Sequence, residues 1–222
     1  MEELKIKNIF QDLDKTIAKE LFEKAEYPWE VLKDIADFIL KIGPTLPEDE
    51  YDEIKENVWV AKSATIAPTA YIGGPTIIGP NAKVNHCAYI REKAIVGEGA
   101  SVGNSSELKN VILFSKVQVP HYNYVGDSIL GYGSHMGAGS ITSNLKSDKT
   151  NITIKVGEEK IETGLRKMGA VLGDFVEIGC NSVLNPGTVI GHHSNVYPLS
   201  MVRGFVKPNS IYKKQGEVVE KH

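Results

Sequence analysis

Cysteine and long hydrophobic runs are scarce in this chain. The 222 residues contain two cysteines, Cys87 and Cys180, which lie far apart without metal-binding spacing and are predicted to be reduced thiols. The N-terminus, MEELKIKNIF, lacks the apolar core of a signal peptide, and no run approaches the length of a membrane span. We therefore expect a cytoplasmic protein that does not associate with a membrane.

An excess of charge of one sign is also missing. The chain has 25 Lys and Arg residues against 28 Asp and Glu residues, a net charge of -3, and its basic residues are dispersed. Nucleic-acid-binding domains carry clustered basic residues, so no nucleic-acid partner is expected. The length predicts one main domain with a small appendage.

The chain instead contains a repeat of six residues. An aliphatic residue recurs at every sixth position from residue 60 to residue 108, and a small residue follows four positions later. Six is a multiple of two but not of 3.6, so these side chains share one side of a strand and would scatter around a helix. Three hexads make one triangular coil of 18 residues. The aliphatic positions are Val60, Ile66, Ile72, Ile78, Val84, Ile90, Val96, Val102 and Leu108.

The repeat continues beyond residue 108. After a one-residue deletion it runs from Leu113 to Met136, and it resumes from Leu172 to Val202. Such repeats are typical of solenoids, so the fold class is mainly β, a parallel β-helix over residues 56–212. Residues 143–171 break the period, and their alternating apolar residues predict an extruded β-hairpin.

The two ends of the chain follow other patterns. Residues 1–55 predict a short amphipathic helix near Leu21 and a second helix from Pro28 to Gly43. An open coil edge invites pairing with other chains, so we expect a helical cap over the first coil, joined by an acidic linker. An arm that docks a partner is the alternative. Residues 213–222 are expected to form a polar tail.

Two cations occupy equivalent positions of the repeat. Arg91 follows Ile90 and Lys109 follows Leu108, 18 residues later, so they stack on one face at a spacing of roughly 4.8 Å. Their long side chains could splay into water, or they could clamp a phosphate. The spacing alone leaves both interpretations open.

A histidine lies close to this face. His121 precedes the corner that leads to the Arg91 and Lys109 face, and Glu107 lies at the same corner one coil below. A histidine with a carboxylate is the usual arrangement of a general base, and a structural turn histidine is the alternative. His86 shares the face of His121, but a third ligand is missing, so no metal is predicted.

Two motifs indicate a family. The stretches HYNYVGDS (121–128) and GAGSITSN (137–144) resemble the acetyltransferase half of the bifunctional enzyme that makes UDP-N-acetylglucosamine. GLRKMGAV (164–171) and the inserted hairpin are most similar to archaeal-type sugar-phosphate nucleotidylyltransferases with the same C-terminal half. The resemblance covers about residues 55–212. It implies a left-handed β-helix, a homotrimer, and acetyl-CoA-dependent N-acetylation of a hexosamine 1-phosphate (glucosamine or galactosamine 1-phosphate) without a metal.

The resemblance also implies roles for individual residues. His121 corresponds to the catalytic base and Glu107 to the carboxylate that orients it. His135 stands where the family commonly has a sugar-contacting asparagine. The implied sugar-phosphate ligands are Arg91, Lys109 and Tyr124, and Asn144 matches a motif asparagine that reaches the sugar and the acetyl group.

The coenzyme A contacts are implied in the same way. The backbone amide of Ala138 corresponds to the one near the thioester carbonyl, and Cys180 replaces a serine near the pantetheine arm. Lys149 takes the place of a loop lysine, and Pro198 lines the cofactor channel at a subunit interface.

One part of the family pattern is missing. Residues 1–55 contain no glycine-rich nucleotide loop and are too few to form a doubly wound sheet, so we expect no uridylyl transfer from this chain. The alternatives to an N-acetyltransferase are a sugar O-acetyltransferase and a non-catalytic module. The latter would be a trimeric scaffold or a sugar-nucleotide-binding partner of a separate nucleotidyltransferase.

Overall fold

In the computed structural model, which describes residues 1–221, short parallel strands wind into a solenoid with three faces. Strands of successive coils pair in register, so that Thr65 lies beside Lys83 and Ile66 beside Val84. The repeated aliphatic residues point inward and are buried, except Ile66 in the first coil, which is partly buried. The predicted parallel β-helix is confirmed, and its left-handed sense stays a prediction.

The strands fall into three stacks, one on each face. The first face contains β3 (Thr65–Ile66), β6 (Lys83–Val84), β9 (Ser101–Asn104), β11 (Gln118–His121), β13 (His135–Met136), β18 (Glu177–Ile178), β21 (Asn195–Val196) and β24 (Ser210–Lys214). The second contains β4 (Tyr71–Ile72), β7 (Tyr89–Ile90), the first halves of β10 (Glu107–Leu113) and β12 (Tyr124–Leu130), β14 (Ile141–Thr142), β19 (Val183–Leu184) and β22 (Met201–Val202). The third contains β2 (Val58–Ala61), β5 (Thr76–Ile78), β8 (Ala94–Val96), the second halves of β10 and β12, β17 (Ala170–Leu172), β20 (Thr188–Ile190) and β23 (Phe205–Val206).

One-residue deletions, at residues 108–113 and again at 125–130, shorten the same corner in two successive coils. In β10 and β12 the second face runs directly into the third, and the turn is made by single residues with left-handed backbone, Asn110 (φ 54°) and Asp127 (φ 47°). Asn and Asp adopt this conformation more readily than other residues with a side chain. The shortened corner therefore presents two short polar side chains beside the second face.

The N-terminal segment is helical, as predicted. It contains α1 (Ile6–Ile9), α2 (Lys19–Glu23) and α3 (Ile35–Ile42), with 3-10 turns at Glu2–Leu4, Leu13–Lys15, Pro28–Lys33 and Gly43–Thr45. The predicted second helix is interrupted at Asp34, where the 3-10 turn ends and α3 begins. None of the helices within residues 1–221 has the length and apolar character needed to cross a membrane.

The expected position of this helical segment was wrong. The segment does not cover the first coil but runs along the third face, where α3 packs on β8 and β10. The outward residues of that face are apolar and would be exposed without it. They are Ile77, Ile95, Ile112, Ile129, Val171 and Val189, and all are buried.

At each end of the solenoid, one face is covered by an additional strand. The predicted acidic linker contains β1 (Tyr51–Lys55), which pairs antiparallel with β2. The predicted polar tail contains β25 (Glu217–Glu220), which pairs antiparallel with β24. Each of these strands satisfies unpaired backbone groups of a coil edge.

The predicted hairpin is present within the insertion. Strands β15 (Thr153–Val156) and β16 (Glu159–Glu162) pair antiparallel around the turn at Gly157. The hairpin packs back on later coils, because Ile152 and Ile154 are buried and a Cβ at Gly187 would lie 2.7 Å from the Ile152 side chain.

An aromatic cluster joins the N-terminal segment to the solenoid, and its removal has a testable effect. Phe10 stacks on Phe114 at 4.8 Å between ring centroids, and Phe22 meets Phe114 edge to face at 5.4 Å. Because Phe114 is fully buried, we expect Phe114→Ala to lower the free energy of unfolding by about 3–5 kcal/mol. Thermal denaturation measures the loss. The exposed Phe175 serves as a matched control, and an equal loss for Phe175→Ala would contradict the assignment.

Candidate active site

The second face holds two stacked cations. Ile90 and Leu108 pair in register, so Arg91 and Lys109, which follow them, lie in neighbouring coils. Each cation has a carboxylate partner, since Arg91 Nη1 lies 3.1 Å from Glu107 Oε1 and Lys109 Nζ lies 3.2 Å from Asp127 Oδ1. The hydrogen bond to Glu107 raises the pKa of Arg91 above its ordinary value. The repulsion between the two cations is thus relieved within the chain.

Asp127 organises the buried side of this site. Its side chain is 6% exposed and that of Lys109 is 17% exposed. Besides Lys109, the carboxylate accepts hydrogen bonds from the side-chain amides of Asn110 (2.9 Å) and Asn144 (2.5 Å). Sequence reasoning missed Asp127 and Asn110. The shortened hexad that places both at a left-handed corner was the signal that could have indicated them.

Tyr124 and Asn144 complete the polar group on this face. Asn144 Nδ2 donates to Tyr124 Oη at 3.2 Å, and burial raises the pKa of the Tyr124 phenol. The backbone carbonyl of Asn144 also accepts the backbone N–H of Met168 at 3.0 Å, which closes the base of the insertion. The structure therefore brings Tyr124 and Asn144 together with Lys109 and Asp127, as a hydrogen-bonded group open to solvent on one side.

His121 lies at the edge of this face. It is exposed at the turn from the first to the second face, here named the front corner (residues 85–88, 103–106, 120–123, 137–140, 179–182 and 197–200 in successive coils). Its backbone N–H donates to the buried Asn123 Oδ1 at 2.9 Å, and Asn123 donates in turn to Gly137 O at 2.8 Å. No residue from 1 to 221 hydrogen-bonds the His121 ring, and Glu107, its expected partner, bonds Arg91.

Three residues expected to contact coenzyme A lie in a column with His121. Along the front corner, Gly139 N–H donates to His121 O, Asn181 N–H to Ala138 O, and Leu199 N–H to Cys180 O, all at 2.8–2.9 Å. These bonds stack the corner residues coil on coil. The column runs His121, Ala138, Cys180, Pro198, and the Cys180 thiol is free and exposed.

Two residues that were expected to bind the substrates, His135 and Lys149, lie away from the second face and from the column. His135 is on the first face, where its Nδ1 lies 2.9 Å from Glu177 Oε2. Lys149 lies in the insertion, in a turn closed by its N–H to Lys146 O at 3.0 Å. The insertion leaves the second face at the edge opposite the front corner, so Lys149 does not join the column of its own chain.

Comparison with known proteins agrees with the fold and the motifs. Residues 74–197 match the family model described as the GMPPB C-terminal domain. The bifunctional protein GlmU of Methanococcus maripaludis is 33% identical over 198 residues, which cover 88% of this chain and 48% of that protein. GlmU of Methanococcus vannielii is 37% identical over 120 residues, which cover 54% and 29%. These matches confirm the resemblance stated from the motifs, and the chain spans less than half the length of these relatives.

A solved structure is similar at a greater distance. The hexapeptide transferase family protein from Anaplasma phagocytophilum superposes with a TM-score of 0.43 at 18% identity, over 74% of this chain and 80% of that one.

Proposed function

This chain belongs to the family of the GMPPB C-terminal domain, and from that premise we propose that it is an acetyl-CoA-dependent N-acetyltransferase acting on a hexosamine 1-phosphate. One observation carries the proposal. His121 stands between the face with the stacked cations Arg91 and Lys109 and the corner column that continues through Ala138 and Cys180. A base placed between an anion site and a cofactor site suits transfer between two substrates.

The residues act in a simple order. Lys109 and Arg91 bind the phosphate, and Tyr124 and Asn144 orient the sugar. His121 accepts a proton from the amine, whose nitrogen attacks the thioester carbon and forms the C–N bond. The N–H of Ala138, for which no acceptor exists within residues 1–221, stabilises the oxyanion. The C–S bond then breaks, and the proton leaves with the coenzyme A thiolate.

Substrate phosphate also changes the partner of Glu107. In the free chain this carboxylate bonds Arg91 at 3.1 Å. A phosphate dianion competes for the guanidinium through a bidentate pair of hydrogen bonds. Glu107 is then released to accept the N–H of His121, as the resemblance implies. The base is thereby oriented only when the phosphorylated substrate is bound.

The proposal is tested by supplying a panel of amino-sugar 1-phosphates with acetyl-CoA and measuring thiol release. Acetylation of at least one of them, with an amide product stable to hydroxylamine, is the expected result. A hydroxylamine-labile product would indicate O-acetylation, and tight binding without turnover would indicate a non-catalytic scaffold.

We also propose that three copies assemble, with acetyl-CoA between them. Large apolar side chains are exposed at and beside the front corner, among them Tyr122, Tyr197 and Met201, and Leu199 is 80% exposed. Contiguous exposed apolar residues mark interaction sites, and a head-to-tail contact closes into a ring. A neighbouring copy could also bring its Lys149 to the column.

The proposed trimer can be tested by its mass in solution and by a substitution in the contact. Light scattering should report about 73 kDa, three times the 24.3 kDa of one chain. Leu199→Asp should yield smaller species because it places a charge in the contact, whereas Leu40→Asp, on an exposed position of α3, should not. A stable monomer with full activity would contradict the trimer.

A further inference from the structure

A buried asparagine stands at the front corner, at a position where the repeat has a small side chain in the other coils. Asn123 is 3% exposed and follows the buried Val119 by four positions. The equivalent residues of the front corner are all alanine or serine, namely Ala88, Ser106, Ser140, Ser182 and Ser200. The repeat therefore does not require an amide here, and the amide is found in the coil of His121.

The side chain of Asn123 joins two turns of the proposed site. Its Oδ1 accepts the backbone N–H of His121 at 2.9 Å. Its Nδ2 donates to the backbone carbonyl of Gly137 at 2.8 Å and to that of Ser140 at 3.0 Å. One buried amide thus holds both the turn that carries His121 and the turn of the next coil that carries Ala138.

These bonds also orient the backbone N–H of Ala138. The peptide between Gly137 and Ala138 is trans, so its carbonyl and its N–H point in opposite directions. The carbonyl is held on the buried side by Asn123 Nδ2, and it also accepts the hydroxyl of Ser140 at 2.6 Å and the N–H of Ser140 at 3.0 Å. The N–H of Ala138 is therefore directed away from the interior. Several donors on one carbonyl polarise the peptide and make its N–H a stronger donor.

We propose that Asn123 is a positioning residue that fixes the base and the oxyanion donor relative to each other. This inference rests on the proposed function, in which His121 accepts the amine proton and the N–H of Ala138 stabilises the oxyanion. Both groups must be in place together, because the oxyanion develops as the amine forms the C–N bond. Asn123 contacts neither substrate, since it is buried beneath the corner. Its effect should therefore appear in kcat.

The substitution Asn123→Ser tests this role in the full chain. Serine occupies the same position in neighbouring coils, so the variant should fold, but its side chain is too short to hold both turns. We expect kcat to fall by about 10- to 100-fold, because a misplacement of about 1 Å costs up to about 100-fold in rate. The KM values for acetyl-CoA and for the hexosamine 1-phosphate should change little. A folded Asn123→Ser variant with unchanged kcat would overturn the proposal.

The matched control is Asn185→Ser. Asn185 is also buried, and its Nδ2 donates to the backbone carbonyl of Val202 at 3.0 Å, outside the front corner. The control should lower the melting temperature to a similar extent and keep kcat. An equal loss of kcat in both variants would overturn the proposal, because any buried asparagine would then have the same effect.

A second substitution keeps the proposal testable if Asn123→Ser does not fold. Ser140→Ala removes the other side-chain donor to the Gly137 carbonyl, and Ala88 shows that the repeat accepts alanine at this position. We expect kcat to fall by about two- to tenfold, the net effect of one hydrogen bond, with little change in KM. Unchanged kcat in this folded variant would overturn the proposed orientation of Ala138 by the Gly137 carbonyl.

Failure of the proposed function gives a different result. If the unaltered chain acetylates no amino-sugar 1-phosphate, the enzyme assignment fails, and titration calorimetry compares acetyl-CoA with coenzyme A, which has no acetyl carbonyl. Binding of acetyl-CoA that is about two- to tenfold tighter, with the difference lost in Asn123→Ser, would support the placement of the Ala138 N–H by Asn123. Equal binding by the unaltered chain, or a difference that survives in Asn123→Ser, would overturn it.

Discussion

Replacing His121 with alanine is expected to lower kcat for acetyl transfer by a factor of about 10²–10⁴, the usual contribution of a general base. The amine nucleophile must lose a proton as the C–N bond forms, and His121 is the exposed base between the cation face and the corner column. Thiol release from acetyl-CoA at saturating acceptor measures the loss. Affinity for both substrates should change much less than kcat.

The matched control for this change is His86→Ala. His86 is an exposed histidine of the same front corner two coils away, with its Nδ1 2.9 Å from Thr69 Oγ1. The substitution His86→Ala should leave kcat unchanged. If His121→Ala instead unfolds the chain, as seen by thermal denaturation, the structural interpretation of His121 is supported. A variant that is folded and fully active would remove His121 from the mechanism.

Replacing Lys109 with alanine is expected to weaken binding of the hexosamine 1-phosphate by about 2–4 kcal/mol, the loss of a partly buried charge pair. Free glucosamine should be affected little, because it brings no phosphate. Acetyl-CoA affinity should stay nearly constant. Arg91→Ala should show the same selectivity for the phosphorylated sugar with a smaller loss, up to about fivefold in KM, since exposed ion pairs are screened. Steady-state kinetics with and without the 1-phosphate measures both.

Lys109→Ala also affects folding, which has to be separated from binding. Removing the cation leaves Asp127 buried without its charged partner and is expected to cost about 3–5 kcal/mol of stability. The double variant Lys109→Ala/Asp127→Asn removes the buried charge as well and should recover much of the melting temperature. The preference for the hexosamine 1-phosphate over free glucosamine should stay lost in this double variant. Recovery of selectivity together with stability would return Lys109 to a structural role.

The sequence by itself determined the solenoid architecture and the stacking of the site residues from one coil to the next. In each six-residue repeat, two side chains point to the inside of the coil: the aliphatic residue and the small residue four positions later. This local rule predicts the coil without knowledge of contacts. The same rule predicts that residues 18 apart are neighbours, as Arg91 and Lys109 are. The hairpin was predictable because its two strands are adjacent in sequence.

Only the tertiary structure decided what covers the solenoid. Ile77, Ile95 and Ile112 recur outside the buried frame and indicate a covered face, but no spacing tells which segment covers it. The answer depends on contacts between distant residues, such as Phe10 with Phe114. Such contacts are selected by shape and by burial of apolar area, which a repeat does not encode.

The tertiary structure also decided the pairing of charges in the site. Sequence reasoning joined Glu107 to His121 and left the cations free, whereas each cation has a carboxylate partner and Glu107 bonds Arg91. Asp127 reaches Lys109 because a shortened corner turns its backbone to φ 47° and points its carboxylate to the second face. A repeat defines which coil a residue occupies, but the partner of a charge depends on side-chain direction and distance, which arise only once the coils are stacked.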